Sequence, residues 1–169
     1  METLLTILAR RSIRRYTGEK VNGEAIQKVL EAGMAAPSAG NQQPWHFIVL
    51  DDRKVLDAVP EHHPHSSMIR EAPVAILVCG DISAEKHQGY WVQDCAAATQ
   101  NMLLAVTDLG LGAVWLGVYP REDRVRGLRG LLGLPAHIIP FSLIPIGHPA
   151  EEKPPAGRFD SGRIHHNRW

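Results

Sequence analysis

The sequence predicts a single domain of the α+β (mixed α/β) class, a central sheet flanked by helices, and three observations carry that prediction. Strand-like and helix-like patterns alternate along the chain. The 169 residues are 44% hydrophobic and 21% charged, ordinary figures for one globular unit with its own core. Near the middle, Val92, Cys95, Thr99, Met102, Val106 and Leu109 recur at spacings of three and four, the signature of one long amphipathic helix.

The elements follow in order. Leu4, Leu5 and Leu8 predict a short first helix. Asn22 is placed to cap a second, whose apolar face is Ile26, Val29 and Leu30 and whose end is marked by Gly33 and Pro37. Residues 37–44 are a loop by composition. Trp45–Leu50 is a strand, after which Asp51 and Asp52 open a short helix carrying Val55 and Leu56. His62, His63, Pro64 and His65 read as surface loop. The near-continuous apolar run over residues 73–80 predicts a strand in a central position. The long helix spans residues 90–109, and Ala96, Ala97 and Ala98 give it small side chains that let another backbone approach. Gly110 and Gly112 end it. Residues 113–118 form the next strand, and Pro120 begins another helix where its missing N–H costs little. Leu128, Leu131 and Leu132 face inward there. Residues 138–146 are the last strand, and Pro140 and Pro145 predict irregular edges or bulges in it.

Residues 149–169 form a C-terminal extension. Pro154, Pro155 and Gly157 favour an extended path, yet Ile164 and Trp169 call for burial. The tail is therefore expected to pack onto something, a second subunit among the candidates; the alternative is a disordered end whose Trp169 is incidental.

Composition narrows the function. Eighteen basic residues balance eighteen acidic ones, so the basic excess usual in nucleic-acid binders is missing. No apolar run approaches the roughly 20 residues of a membrane span, and no secretory leader is evident. Two cysteines, Cys79 and Cys95, fit a reducing, cytoplasmic setting. Cys95 reads as a small buried hydrophobe, and Trp45, Trp91 and Trp115 as core or interface residues. His62, His63, His65 and Glu61 offer metal-ligating atoms, but neighbours in a proline-containing loop rarely converge on one centre. No metal site is expected.

Two segments carry chemistry. Arg10, Arg11, Arg14, Arg15 and Lys20 crowd a short span opposed only by Glu19. Guanidinium forks match phosphate oxygens, and Ser12 adds a hydroxyl donor. A solvated helix end would have the same composition. Neither a Gly-x-Gly-x-x-Gly turn after a strand nor a Walker A loop is present, so a phosphate-bearing ligand would rely on the arginines. In the loop, Asn41 and Gln43 bring amides that donate and accept, suited to the edge of a flat ring with carbonyl and N–H groups. A polar surface turn fits the same residues.

These segments acquire meaning together. Arg10-Arg11-Ser12-Ile13-Arg14-Arg15-Tyr16 resembles the N-terminal signature of the nitroreductase family. The stretch from Ala36 through Pro37-Ser38-Ala39-Gly40-Asn41-Gln42-Gln43-Pro44-Trp45 resembles its second signature. Gln93-Asp94 with Asn101-Met102-Leu103-Leu104-Ala105 is similar to its central helix, and Leu109-Gly110-Leu111-Gly112 with Trp115-Leu116-Gly117 to its following strand. Ile144-Pro145-Ile146-Gly147-His148-Pro149, then Lys153-Pro154-Pro155 and Arg158, resembles its closing segment. The marks run in family order over almost the whole chain.

The resemblance implies a mixed sheet flanked by helices in an intertwined homodimer, with non-covalent FMN at the interface. It implies that Arg10, Arg11, Ser12 and Arg14 hold phosphate and the adjoining flavin edge. Pro37, Ser38, Ala39 and Asn41 would approach the ring and ribityl chain from the other subunit. Leu116 and Gly117 would offer backbone N–H groups near the flavin N5, and Lys153 and Arg158 would return from the tail to the phosphate. The expected activity is ping-pong hydride transfer from NADH or NADPH through FMN to nitroaromatics, quinones or similar small acceptors. The flavin carries the chemistry, so no catalytic side chain is required, His46, His137 and His148 included. The alternatives are a specialised relative (dehalogenase, enone reductase or flavin-consuming enzyme) and a flavin-binding redox sensor without turnover. The short span between Asp81 and Tyr90 leaves little room for helices over the substrate pocket. That pocket is expected to be open or roofed by the His62 to Met68 region.

Overall fold

The computed structural model describes residues 2–169, which run through α1 (Thr3–Ala9), α2 (Gly23–Met34), β1 (Trp45–Leu50), α3 (Arg53–His62), β2 (Val74–Asp81) and α4 (Trp91–Asp108). Then come β3 (Gly112–Ala113), β4 (Leu116–Gly117), α5 (Glu122–Leu132) and β5 (Ile138–Gly147). Local chemistry explains the boundaries. The Asn22 side chain caps α2 by accepting from Ala25 N at 2.7 Å, and Asp52 caps α3 through Lys54 N at 2.8 Å. Pro120 does not begin α5: Arg121 is the N-cap, and Glu122 and Asp123 occupy the first turn, where carboxylates complement the helix dipole.

The strand order is β1-β2-β5-β3, with β4 also on β5, and every one of these pairs is antiparallel. The parallel component of the expected mixed sheet enters as an isolated bridge between Ser12 and Ala113. β2 takes the central position its apolar run predicts. Of the two expectations for β5, the irregularity holds and the edge position does not: despite two prolines it lies inside the sheet, paired on both sides. Pro145 is tolerated because it lies opposite the gap between β3 and β4, and Pro140 lies beside a register shift at Val78 and Cys79. The single strand expected over residues 113–118 is split by that gap. Val114 turns into one core layer and Trp115 packs toward the other, against Phe141.

Strand alternation feeds both layers. Ile76 and Val78 meet Val29, Trp91, Cys95, Met102 and Val106 of α2 and α4. Ala75 and Leu77 meet Leu56, Val59 and Leu128 of α3 and α5. Each large buried side chain contributes about 1.5–3 kcal/mol. α2 approaches α4 so closely that a Cβ on Gly33 would sit 2.9 Å from the Met102 side chain. Leu109, expected on the inner face of the long helix, is instead its exposed C-cap. Burial raises the Cys79 thiol to about 12 and moves Cys95 the same way, so both behave as small hydrophobes.

The ends of the chain behave otherwise. Leu4, Leu5, Ile7 and Leu8 of α1 are exposed, as are Phe159, Ile164 and Trp169 of the tail. The surface-loop expectation holds for Pro64 and His65, which are exposed, but not for His62, the last residue of α3, or for His63. His63 and Ser66 are buried, and Ser66 donates from both N and Oγ to His63 O.

Candidate functional site

The basic segment begins at the end of α1, where Arg10 is the C-cap and Arg11 Nη1 donates to Leu8 O at 2.7 Å. It leaves α1 as extended chain stitched to the sheet. Ile13 N donates to Ala113 O at 2.9 Å, and the buried Tyr16 hydroxyl donates to Ile13 O at 2.7 Å and Pro145 O at 3.2 Å. The tail then runs alongside. Ala150 N donates to Arg15 O at 2.9 Å, Arg14 N to Glu151 Oε1 at 2.5 Å, and Lys153 Nζ to Ser12 O at 2.6 Å. The Arg14 N–H holds the Glu151 carboxyl below the usual carboxylate range. Arg11 spends Nε on Pro154 O at 2.7 Å and Nη1 on Leu8 O and Arg10 O. Its side chain therefore clamps the tail to the N-terminal segment.

Arg10, Arg11 and Arg158 are thereby brought together. Partial burial lowers the Arg10 pKa, and the nearby cations of Arg158 and Arg11 lower it further. Among the described residues neither Arg10 nor Arg158 has a carboxylate partner, and the Ser12 hydroxyl makes no hydrogen bond. Clustered cations without anions are unfavourable unless an anion completes them. The Arg14 guanidinium is exposed on the same segment.

The second segment is held by a group that sequence reading passed over as part of a motif. Asp94, in the first turn of α4, is buried. It accepts from Ala39 N at 2.9 Å and from Gln42 Nε2 at 2.6 Å. Gln42 Oε1 in turn accepts from Lys86 N at 2.9 Å and His87 N at 3.1 Å. One carboxylate thus latches residues 38–43 to the helix and ties the 82–90 segment over them. Pro37, Ser38 and Ala39 line a shallow groove with Tyr90, Gln93 and Ala97. Asn41 stands in the left-handed region at φ 53°, with Oδ1 accepting from Gln43 Nε2 at 2.9 Å.

The third piece is β4. Val118 N donates to Phe141 O at 3.0 Å. Backbone directions alternate along an antiparallel strand, so the N–H and C=O of Gly117 point away from β5, while those of Leu116 point into the sheet. Of the two, Gly117 is therefore the one able to offer an N–H. A Cβ on Gly117 would meet nothing within 4 Å. The Gly117 oxygen accepts from His63 Nε2 at 3.0 Å and Arg124 Nη1 at 2.7 Å. The sequence singled out His63 only as a possible metal ligand and Arg124 not at all, because a contact to a backbone carbonyl leaves no mark on the sequence.

Ser12 bridges to Ala113 and Gly117 follows four residues later, so the arginine cluster and Gly117 share one edge of the sheet. Residues 37–41 precede β1, the opposite edge. Within one chain the candidate residues thus form two groups, not one. Among the described residues no cluster of three or more His, Cys, Asp or Glu is placed to hold a metal ion, and no helix is long and apolar enough to cross a membrane.

Comparison with known proteins bears on the fold and the family. A protein of Methanothermobacter thermautotrophicus, provisionally named NADH dehydrogenase/NAD(P)H nitroreductase, is 54% identical over 169 residues, covering 100% of this chain and 88% of its own length. A solved structure from Desulfovibrio desulfuricans, a provisionally named nitroreductase in complex with FMN, superposes with a TM-score of 0.86 at 37% identity, covering 100% of this chain and 98% of that one. The NADPH:FMN oxidoreductase from Vibrio harveyi complexed with NAD+ gives a TM-score of 0.85 at 26% identity, covering 99% of this chain and 77% of that longer one. The profile of the Nitroreductase family matches residues 7–63 and 57–148, and with the shared fold this places the chain in the nitroreductase family.

Proposed function

We propose that this chain is an NAD(P)H-dependent oxidoreductase that binds FMN without a covalent link and reduces small nitroaromatic, quinone or similar acceptors. The observation that carries the reading is the arginine cluster at the Gly117 edge. Arg10, Arg11 and Arg158 converge with no carboxylate partner for Arg10 or Arg158 among the described residues, and Ser12 lies on the same segment. Their donors suit a phosphate, and the open space over Gly117 leaves room for a planar group against the strand. The residues therefore fit the phosphorylated flavin that the Desulfovibrio relative holds.

When bound, FMN supplies the electron-carrying chemistry, taking a hydride from NAD(P)H and passing it to an oxidised acceptor. The chain's part is to bind and orient. Arg10, Arg158 and Arg14 hold phosphate, and Lys153, fixed on Ser12 O, adds positive charge beside it. Gly117 presents a backbone donor to the ring edge, where such fixed dipoles stabilise developing negative charge. No side-chain acid or base is needed. Donor and acceptor use one open face in turn, which gives ping-pong kinetics.

The reading includes a homodimer. The exposed apolar face of α1 borders a groove lined by Thr3, Thr6, Ala32, Ala35, Leu104 and Ala105. Exposed apolar surface of this kind marks an interface. A second copy would carry its residues 37–41 to the arginine cluster of the first, uniting the two groups that one chain keeps at opposite sheet edges. The free, buried cysteines fit a reducing, cytoplasmic setting.

Purified protein is expected to be yellow. Anaerobic mixing with NADH or NADPH should bleach the flavin band, and initial rates against a nitro or quinone acceptor should give parallel double-reciprocal lines. A colourless protein that takes up no added FMN would overturn the reading.

A further inference from the structure

A buried histidine and a half-buried arginine both reach the carbonyl of a single glycine. β4 is only two residues long, Leu116–Gly117, and β5 does not hold the outward side of Gly117. The Gly117 oxygen is held instead by His63 Nε2 at 3.0 Å and Arg124 Nη1 at 2.7 Å. The Gly117 oxygen can only accept, so the ring carries its proton on Nε2, and Arg124 Nη1, 3.4 Å from that nitrogen, donates to the shared oxygen and not to the ring. His63 is itself fixed: its N donates to Val59 O, and its O accepts from Ser66 N and Oγ.

The arrangement is costly. His63 is 1% exposed, and its Nδ1 has no partner among the described residues; nor has Arg124 Nε. Orphaned buried nitrogens each carry a desolvation penalty, which an apolar residue filling the same space would avoid. Packing alone does not account for a histidine and an arginine here. Burial, and then the Arg124 cation, lower the His63 pKa and keep the ring neutral, with one N–H to donate.

We propose that His63 and Arg124 are positioning residues: by pinning the Gly117 carbonyl they fix the direction of the Gly117 N–H, so that it meets N5 of the bound flavin. The proposal rests on the reading of the site given above. The carbonyl and N–H of one extended residue point the same way, so fixing the oxygen fixes the donor. The held peptide needs no reorganisation when a ring arrives.

The test uses full-length protein loaded with FMN labelled with nitrogen-15. It reads the N5 resonance, the FMN dissociation constant and the Tm. Wild type should show N5 at a hydrogen-bonded position. His63→Ala should move N5 toward the value of a flavin without that bond and weaken FMN binding about tenfold. His63→Gln, whose amide can still donate, should restore most of both. Arg124→Met should shift N5 the same way and carries the test if His63→Ala does not fold. If the variants lower Tm but leave N5 and FMN affinity at wild-type values, the two side chains are merely structural and the proposal is overturned. If wild-type N5 shows no hydrogen bond, the placement of Gly117 against the ring fails and the proposal with it. FMN uptake without that bond would leave the flavin-binding reading standing, whereas no uptake at all would remove both.

Discussion

The middle of the chain and its two ends treat apolar residues in opposite ways. In α4 the large apolar side chains Trp91, Met102, Leu103 and Val106 are buried. In α1, Leu4 is 65% and Leu8 61% exposed, and in the tail Phe159 is 84% and Trp169 100% exposed. The middle is a finished core, whereas the ends carry surface that a second copy would cover. The arginine cluster is built from those same ends, Arg10 and Arg11 from one and Arg158 from the other. An exposed apolar surface and the arginine cluster proposed to hold phosphate thus occupy the same part of the molecule.

The strongest way to break this contrast is to make the bare end polar. Leu4→Glu with Leu8→Glu should dissociate the dimer and release FMN. Each leucine forfeits roughly 1.5–3 kcal/mol of burial at the interface, so the dimer dissociation constant should rise at least about a hundredfold. Sedimentation checks it. The folded core should survive, because α1 contributes little to it. Next comes the finished side of the contrast. Asp94→Ala strips the acceptor from Ala39 N and the Gln42 amide, and should cost about 2–3 kcal/mol and lower Tm by about 5–10 °C, with the 37–43 loop becoming protease-sensitive. Arg14→Ala should weaken FMN binding by about 1.5–3 kcal/mol with Tm of the apoprotein unchanged, as titration of apoprotein would show.

The smallest effect is on pH. Unfolded His63 protonates near its ordinary value of 6.5, whereas the folded ring resists the proton. The stability contributed by the neutral ring is thus present above 6.5 and lost as pH falls below it toward the depressed folded value. Between about pH 7.5 and pH 5.5 this component should lower Tm by about 2 °C, and His63→Gln should remove it.

The sheet and the helices were legible where local signals and burial agree. Asn22 and Asp52 cap the helices expected of them, and the apolar run of β2 occupies the centre. β5 was legible in part: the irregularity its prolines predict lies beside Pro140, whereas the edge position they also allow does not hold. Only the gap between β3 and β4, a tertiary fact, lets Pro145 lie inside. His63 was misread because a histidine-rich, proline-containing stretch has the composition of a surface loop, and nothing local shows that Gly117 O lies within reach. Of the site, the arginine segment with Ser12 and the amide-bearing loop stood out by composition beside bland alternatives, and the family resemblance gave them their roles and added Leu116, Gly117, Lys153 and Arg158. The chain's own structure adds how they are held: Tyr16, Arg11 and Asp94 organise them, and none of the three advertises that role by type or position.

Sedimentation velocity of the purified holoprotein, followed at the flavin absorption band, tests the shared site most directly. The account predicts flavin absorbance moving with a dimer at all concentrations where it stays bound, and lost from the Leu4→Glu, Leu8→Glu monomer. Flavin travelling with a stable monomer would contradict it.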